Sequence, residues 1–252
     1  MRRISIRIFV FDSYIRDYSM LRERQQSILD AIIREYIRTA RPVASRELAR
    51  QFQFGVGSAT VRNEMQELDE MGYLKQPHTS AGRIPTDKAY RFFVDYLIED
   101  AMLSAAEQRR IDEILEMDEE DMVIKELCRA VSQISGAFAA TGAIEDTILY
   151  KSGFAEILDE PEFGDTAEVR TFSRLVDFLD EKIGDMRARI DDDEDCVFIG
   201  KENPWKEARD YSMAMASWWH PAGFKGFFTI IGPKRMNYPK AISLIHYFEE
   251  RE

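Results

Sequence analysis

Between Ser58 and Met71 the sequence sets Thr60, Arg62, Asn63 and Gln66 on one side of a helical repeat and Val61, Met65, Leu68 and Met71 on the other. Guanidinium and amide groups are the forked donors and acceptors that match base edges in a DNA major groove. Farther on, His78, Thr79, Ser80 and Arg83 crowd a small polar stretch, and Arg46 lies upstream. Such groups bond to phosphates or enter a minor groove. The same residue types also decorate many solvated helices, and on pattern alone the two readings are equal. His78 by itself reads as a solvated loop histidine with no catalytic role.

The elements needed to present these groups are legible around them. Ser45 is placed to cap a short helix with Leu48, Ala49 and Phe52 on one face, and Phe54-Gly55-Val56-Gly57 is a turn. Ser58 is placed to cap the second helix, and Gly72 stops it. Tyr73–Gln76 suits a strand with Arg83-Ile84-Pro85 as its return, which makes residues 77–82 the tip of a β-wing. Ahead of these, Ile28, Ala31, Ile32, Tyr36 and Ile37 mark a helix from Leu21 to about Thr39. The arrangement is a helix-turn-helix with a wing. Thr86 is placed to cap a further helix with two apolar stripes: Tyr90, Phe93, Val94, Leu97 and Ala101 form one, Phe92, Tyr96 and Leu103 the other. Two stripes suit either a helix buried on both sides or one stripe given to a partner subunit.

The 252 residues carry a net charge of −12, enough chain for about two domains and the wrong sign for indiscriminate nucleic-acid binding. The charge is uneven. Residues 1–97 hold 16 Lys and Arg against 12 Asp and Glu, a net of +4; the remainder hold 18 against 34, a net of −16. Cys128 and Cys196 stand far apart and His occurs only at 78, 220 and 246, so no metal or cofactor is expected and a reducing, cytoplasmic compartment is. No apolar run reaches membrane-spanning length. A nucleophile elbow, a P-loop and paired carboxylates are all missing, so no enzyme is expected.

Several stretches are more specific than periodicity. Leu-Arg-Glu-Arg-Gln at 21–25, Pro-Val-Ala-Ser-Arg-Glu-Leu at 42–48, Ser-Ala-Thr-Val-Arg-Asn-Glu-Met at 58–65 and Gln-Pro-His-Thr-Ser-Ala-Gly-Arg-Ile-Pro at 76–85 closely resemble the heat-inducible transcription repressor HrcA family. Gly153–Phe163, Ile199–Asn203 and Ile231–Tyr238 resemble that family's GAF-like C-terminal domain. The resemblance implies a homodimer on an inverted-repeat operator in double-stranded DNA before chaperone genes, with the GroE chaperonin maintaining the active fold. It also exposes two departures: the chain is short for the family, with the gap between Thr141 and Ile148, and residues 1–20 form an N-terminal extension. That extension, alternating at Ile4, Ile6, Ile8 and Val10, reads as a mis-assigned start or an added strand.

The expected fold class is therefore α+β: a winged helix-turn-helix domain with a dimerisation helix at 21–104, then a helical linker and a reduced GAF-like α/β domain at 105–252. In the latter, Thr166–Ile190 reads as one helix, Asp191–Asp195 as an acidic turn, and Cys196–Gly200, Tyr211–Trp219 and Phe224–Ile231 as strands. Tyr238 opens a last helix. A reduced core implies exposed apolar residues, with Trp218 and Phe227 as candidates. The expected function is sequence-specific repression. Arg46 and the wing hold phosphates, Thr60, Arg62, Asn63 and Gln66 face the bases, Ser58 at the start of their helix is a further DNA-binding candidate, and Phe92 and Tyr96 face a second subunit. The alternative is a ligand- or protein-binding sensor that uses the winged helix as an interaction module; sequence preference on palindromic DNA separates the two.

Overall fold

The computed structural model describes residues 21–52, 54–79, 81–98, 102–146, 148–191 and 196–251; the expectations for residues 1–19, Ser80, Ala101 and 192–195 lie outside them. The chain divides near Glu99 into two compact units.

The first unit opens with α1 (Glu23–Thr39), which buries Ile28, Leu29, Ile32 and Ile33, while Tyr36 and Ile37 are half-buried. Its first turn is closed by Gln25, whose side chain accepts the Arg22 N–H at 3.1 Å. α2 (Ser45–Gln51) and α3 (Ser58–Glu70) follow. Neither serine caps its helix. Extended backbone reaches Ala44 and Gly57, whose carbonyls accept the Leu48 and Val61 N–H groups. Each serine thus sits one residue inside the helix, where its hydroxyl no longer overlies the free amides. Met71, expected to face inward, is 39% exposed. The helix has ended at Glu70, and Gly72 at φ +78° turns the chain so that the Tyr73 N–H bonds back to Leu68.

β1 (Leu74–Lys75) and β2 (Ile84–Pro85) form the antiparallel wing. The wing is extended by an antiparallel bridge between Val43 and Arg83. A Cβ on Gly82 would lie 2.3 Å from the Val43 carbonyl oxygen, so only glycine permits this approach. α4 (Asp87–Phe92) is capped by Thr86, which accepts the Ala89 N–H at 3.4 Å. The helix expected after Thr86 then loosens into a π turn over Phe93–Leu97 and leaves the helical path at Ile98.

The second unit begins with α5 (Ala105–Leu115) and α6 (Glu120–Ser135). β3 (Phe138–Ala143), β4 (Tyr150–Ser152) and α7 (Phe154–Leu158) come next. α8 (Thr166–Glu181) and α9 (Ile183–Asp191) are two helices where one was expected, parted at Lys182. β5 (Cys196–Ile199), β6 (Tyr211–Trp219), β7 (Lys225–Pro233) and α10 (Tyr238–Glu249) complete it. The strands make one antiparallel sheet in the order β4-β3-β7-β6-β5.

Strand alternation gives this sheet two buried faces. Phe138, Ala140, Tyr211, Met213, Met215, Phe227 and Ile231 meet Phe172, Leu175, Val176 and Leu179 of α8 on one. On the other, Phe228 and Trp218 meet Phe248 of α10, at ring separations of 5.5 and 6.4 Å, and the Ser212 hydroxyl bonds to that of Tyr238 at 2.7 Å. α6 belongs to this packing: the Cys128 thiol donates to the Tyr150 carbonyl at 3.3 Å, and its burial pushes that thiol's pKa up to about 11. Trp218 and Phe227, expected as exposed apolar residues, are both fully buried. They occupy inward positions of central strands, so helices cover them from both sides. Trp219 is the half-exposed member of the pair.

Trp218 faces Gly226 across β6 and β7, and a Cβ there would stand 2.2 Å from the indole ring. Gly226→Ala should destabilise the second unit by about 1–3 kcal/mol through overpacking. Trp205, Trp218 and Trp219 all lie in this unit, so denaturant unfolding followed by tryptophan fluorescence reads it directly. An unchanged midpoint would contradict the packing described.

Candidate nucleic-acid interface

α3 is held from below by Val61, Met65 and Leu68, all buried. Its carboxylates fix its rotation. Glu64, with a side chain only 7% exposed, pairs with Arg22 at 3.0 Å and with Arg24 at 3.5 Å. Glu67 pairs with Arg22 and accepts the Gln25 amide at 3.0 Å. These contacts tie α3 to the start of α1. Breaking the Glu64 pair would leave a buried carboxylate unpaired, which is why it orients the helix more firmly than a surface pair can.

The rotation so fixed leaves Ser58, Arg62, Asn63 and Gln66 exposed and Thr60 half-buried on the outer face. Arg62 and Asn63 have no side-chain hydrogen bond or ion pair among the described residues. Gln66 donates its amide to Glu70 at 3.1 Å. Arg46 is exposed on α2.

The wing tip is preformed. The Gln76 amide donates to the carbonyls of Thr79 and Ala81, both at 2.9 Å, and the Ala81 N–H bonds to His78 O at 2.9 Å. His78 and Thr79 are exposed on that tip. Arg83, expected at a phosphate, has a side chain 21% exposed that pairs with Asp69 of α3 at 2.6 Å, so it also fastens the wing to the helix. Phe92 departs from expectation. It is 2% exposed with its ring edge-on to Tyr73 at 5.7 Å, and therefore belongs to the core of its own unit. Tyr96, whose ring is tilted against it at 5.2 Å, is 59% exposed.

Sequence reasoning missed Arg22, Glu64, Asp69, Glu70 and Gln76 as positioning groups. Glu64 had a signal, since it falls on the inward stripe with Val61, Met65 and Leu68; a carboxylate there requires a cation. Gln76 had none, because its partners are backbone carbonyls.

Two family models match this chain: a winged helix-turn-helix transcription repressor, HrcA DNA-binding model over residues 20–95 and an HrcA protein C-terminal domain model over residues 86–242. The chain belongs to the HrcA family. The heat-inducible transcription repressor HrcA of Caldanaerobacter subterraneus subsp. tengcongensis is 30% identical, across 88% of this chain and 93% of the relative. The protein of the same name from Thermoanaerobacter pseudethanolicus is 30% identical across 90% and 94%. The first alignment runs to 324 positions, more than this chain possesses, so that HrcA relative carries internal sequence with no counterpart here. A crystal structure described as a hypothetical protein at 2.2 Å resolution superposes with a TM-score of 0.71 at 17% identity, over 92% of this chain and 97% of the other; that likeness shows the fold alone. No described helix is long and apolar enough to cross a membrane.

The Asp69–Arg83 pair gives a direct test of how this HrcA-type wing is held. Arg83→Ala should accelerate amide exchange at Val43 and at residue 83, whose N–H groups bond to each other's carbonyls at 2.9 Å. Exchange at Leu29 and Ile32 in α1 should stay unchanged. Equal protection in variant and wild type would show that the backbone bridge holds the wing without the ion pair.

Proposed function

We propose that this protein is a sequence-specific transcriptional repressor of heat-shock chaperone genes that binds an inverted-repeat operator as a homodimer in the cytoplasm. The observation that carries the reading is the outer face of α3. Arg62 and Asn63 stand exposed, while the carboxylates that would repel a phosphate backbone are engaged elsewhere. Arg62, Asn63, Gln66 and Thr60 read bases. Ser58, at the helix start, and Arg46, Thr79 and His78 hold phosphates. Ser80 has the same assignment from the sequence. Arg83 positions the wing.

The dimer follows from the operator. One winged helix makes too few base contacts to select a single site in a genome, and two copies read a palindrome at fixed spacing. Tyr96, the exposed ring at the end of the winged-helix unit, is a candidate for the contact between copies, with the second unit as the main clamp. Membership of a transcription repressor family, which is not an enzyme class, accords with binding as the activity.

Full-length protein presented with randomised duplex DNA should enrich an inverted repeat. Arg62→Ala should weaken binding to it by ~1–3 kcal/mol and relax one base pair per half-site. Enrichment of no motif would remove the repressor reading in favour of a sensor that uses the winged helix as an interaction module.

GroE is the partner for release of repression, with heat diverting the chaperonin to other clients. A net charge of −16 over residues 98–252 opposes compaction. Phe154, Leu158 and Ile148 leave apolar surface exposed for a chaperonin to hold. Operator binding after mild heating should recover with GroE and ATP and not without them. Recovery unaffected by GroE would exclude this route.

A further inference from the structure

Resting on the repressor reading, we propose that Glu70 is a positioning residue that sets the base preference of Gln66, restricting it to adenine. Gln66 is exposed on the outer face of α3, and its amide nitrogen donates to the Glu70 carboxylate at 3.1 Å. A carboxylate only accepts, so this contact decides which end of the amide is nitrogen. One of the two amide hydrogens is consumed. What remains to a base is one acceptor, the carbonyl oxygen, and one donor, the second N–H.

Adenine presents the matching pair in the major groove, a donor at N6 and an acceptor at N7. Guanine presents two acceptors, O6 and N7, and would need both amide hydrogens, one of which Glu70 holds. Thymine offers a single acceptor beside its methyl group, and cytosine a single donor, so each satisfies half of the amide. In free protein an exposed contact of this kind is weak. Against DNA it strengthens, because water is excluded and a carboxylate without a partner beside phosphates is costly. The two groups are one helical turn apart on α3, so the helix itself maintains the contact during binding.

The test is enrichment of randomised duplex DNA by the full-length protein and three variants, read as base frequencies at every position. Gln66→Ala identifies the base pair that Gln66 reads, as the one position where preference collapses. Wild type should favour adenine over guanine there by about tenfold or more. Glu70→Ala should lower that ratio to about twofold or less by freeing the amide to rotate, with the other positions unchanged. Glu70→Gln, which keeps an acceptor oxygen, should restore part of it. A merely structural Glu70 would change affinity for all sequences alike and leave the ratio intact; that result overturns the inference, as does a guanine preference in wild type or a Gln66→Ala pattern matching wild type. Loss of preference at every position in wild type itself would sink the repressor reading, and this inference with it.

Discussion

Carboxylates at positions 64, 67, 69 and 70 would repel a polyanion, and three of the four are paired with arginines, while Glu70 accepts an amide hydrogen bond. Glu64 and Glu67 are held by Arg22, with Arg24 and Gln25 assisting; Asp69 is held by Arg83, and Glu70 by Gln66. The acidic side of α3 thereby becomes its attachment to the rest of the winged helix, and Arg62 is left as the cation of the outer face. The same ion pairs that remove repulsion fix the rotation of the helix, so electrostatics and geometry have one cause.

The wing depends on this attachment. Arg83 is at once a bridge partner of Val43 in the backbone and the cation for Asp69 in its side chain. Val43 leads directly into α2, and Gly82 allows the two strands to close. A displacement of α3 is therefore transmitted to the wing and to α2 together. At the tip, Gln76 takes over the role that a longer strand pair would play, tying the Thr79 and Ala81 carbonyls of the loop beyond a two-residue strand pair that could not hold its shape alone.

Much of this was legible in the sequence, for a physical reason. Burial follows period, so Val61, Met65 and Leu68 declared the inner face of α3, and the apolar runs near 196, 211 and 225 read as strands. Helix starts were displaced by one residue, because a serine is an acceptable first helical residue as well as a cap, and only the extended backbone at Ala44 and Gly57 decides between them. The contacts of Arg83 and Phe92 were not legible because their partners, Asp69 and Tyr73, lie 14 and 19 positions away and no local pattern reports them. The exposed residues of α3 were found where spacing put them.

The second unit shows how a shortened chain can still close a core. Its sheet is five strands with both faces covered, and the short β4 edge strand offers little for another chain to pair with. Arg235, nearly buried, is gripped by Glu160 and Glu162, and Lys240 by Glu107 at 2.7 Å, so α10 is fastened at its start to elements far apart in the chain. Among the described residues most of the remaining acidic groups are exposed, and residues 98–252 keep a net charge of −16. Such a charge weakens the sequence-independent attraction to DNA that phosphate contacts supply. The fewer such contacts the protein makes, the more of its affinity must come from base edges. A winged helix attached to an acidic body is on this argument biased toward discrimination over strength.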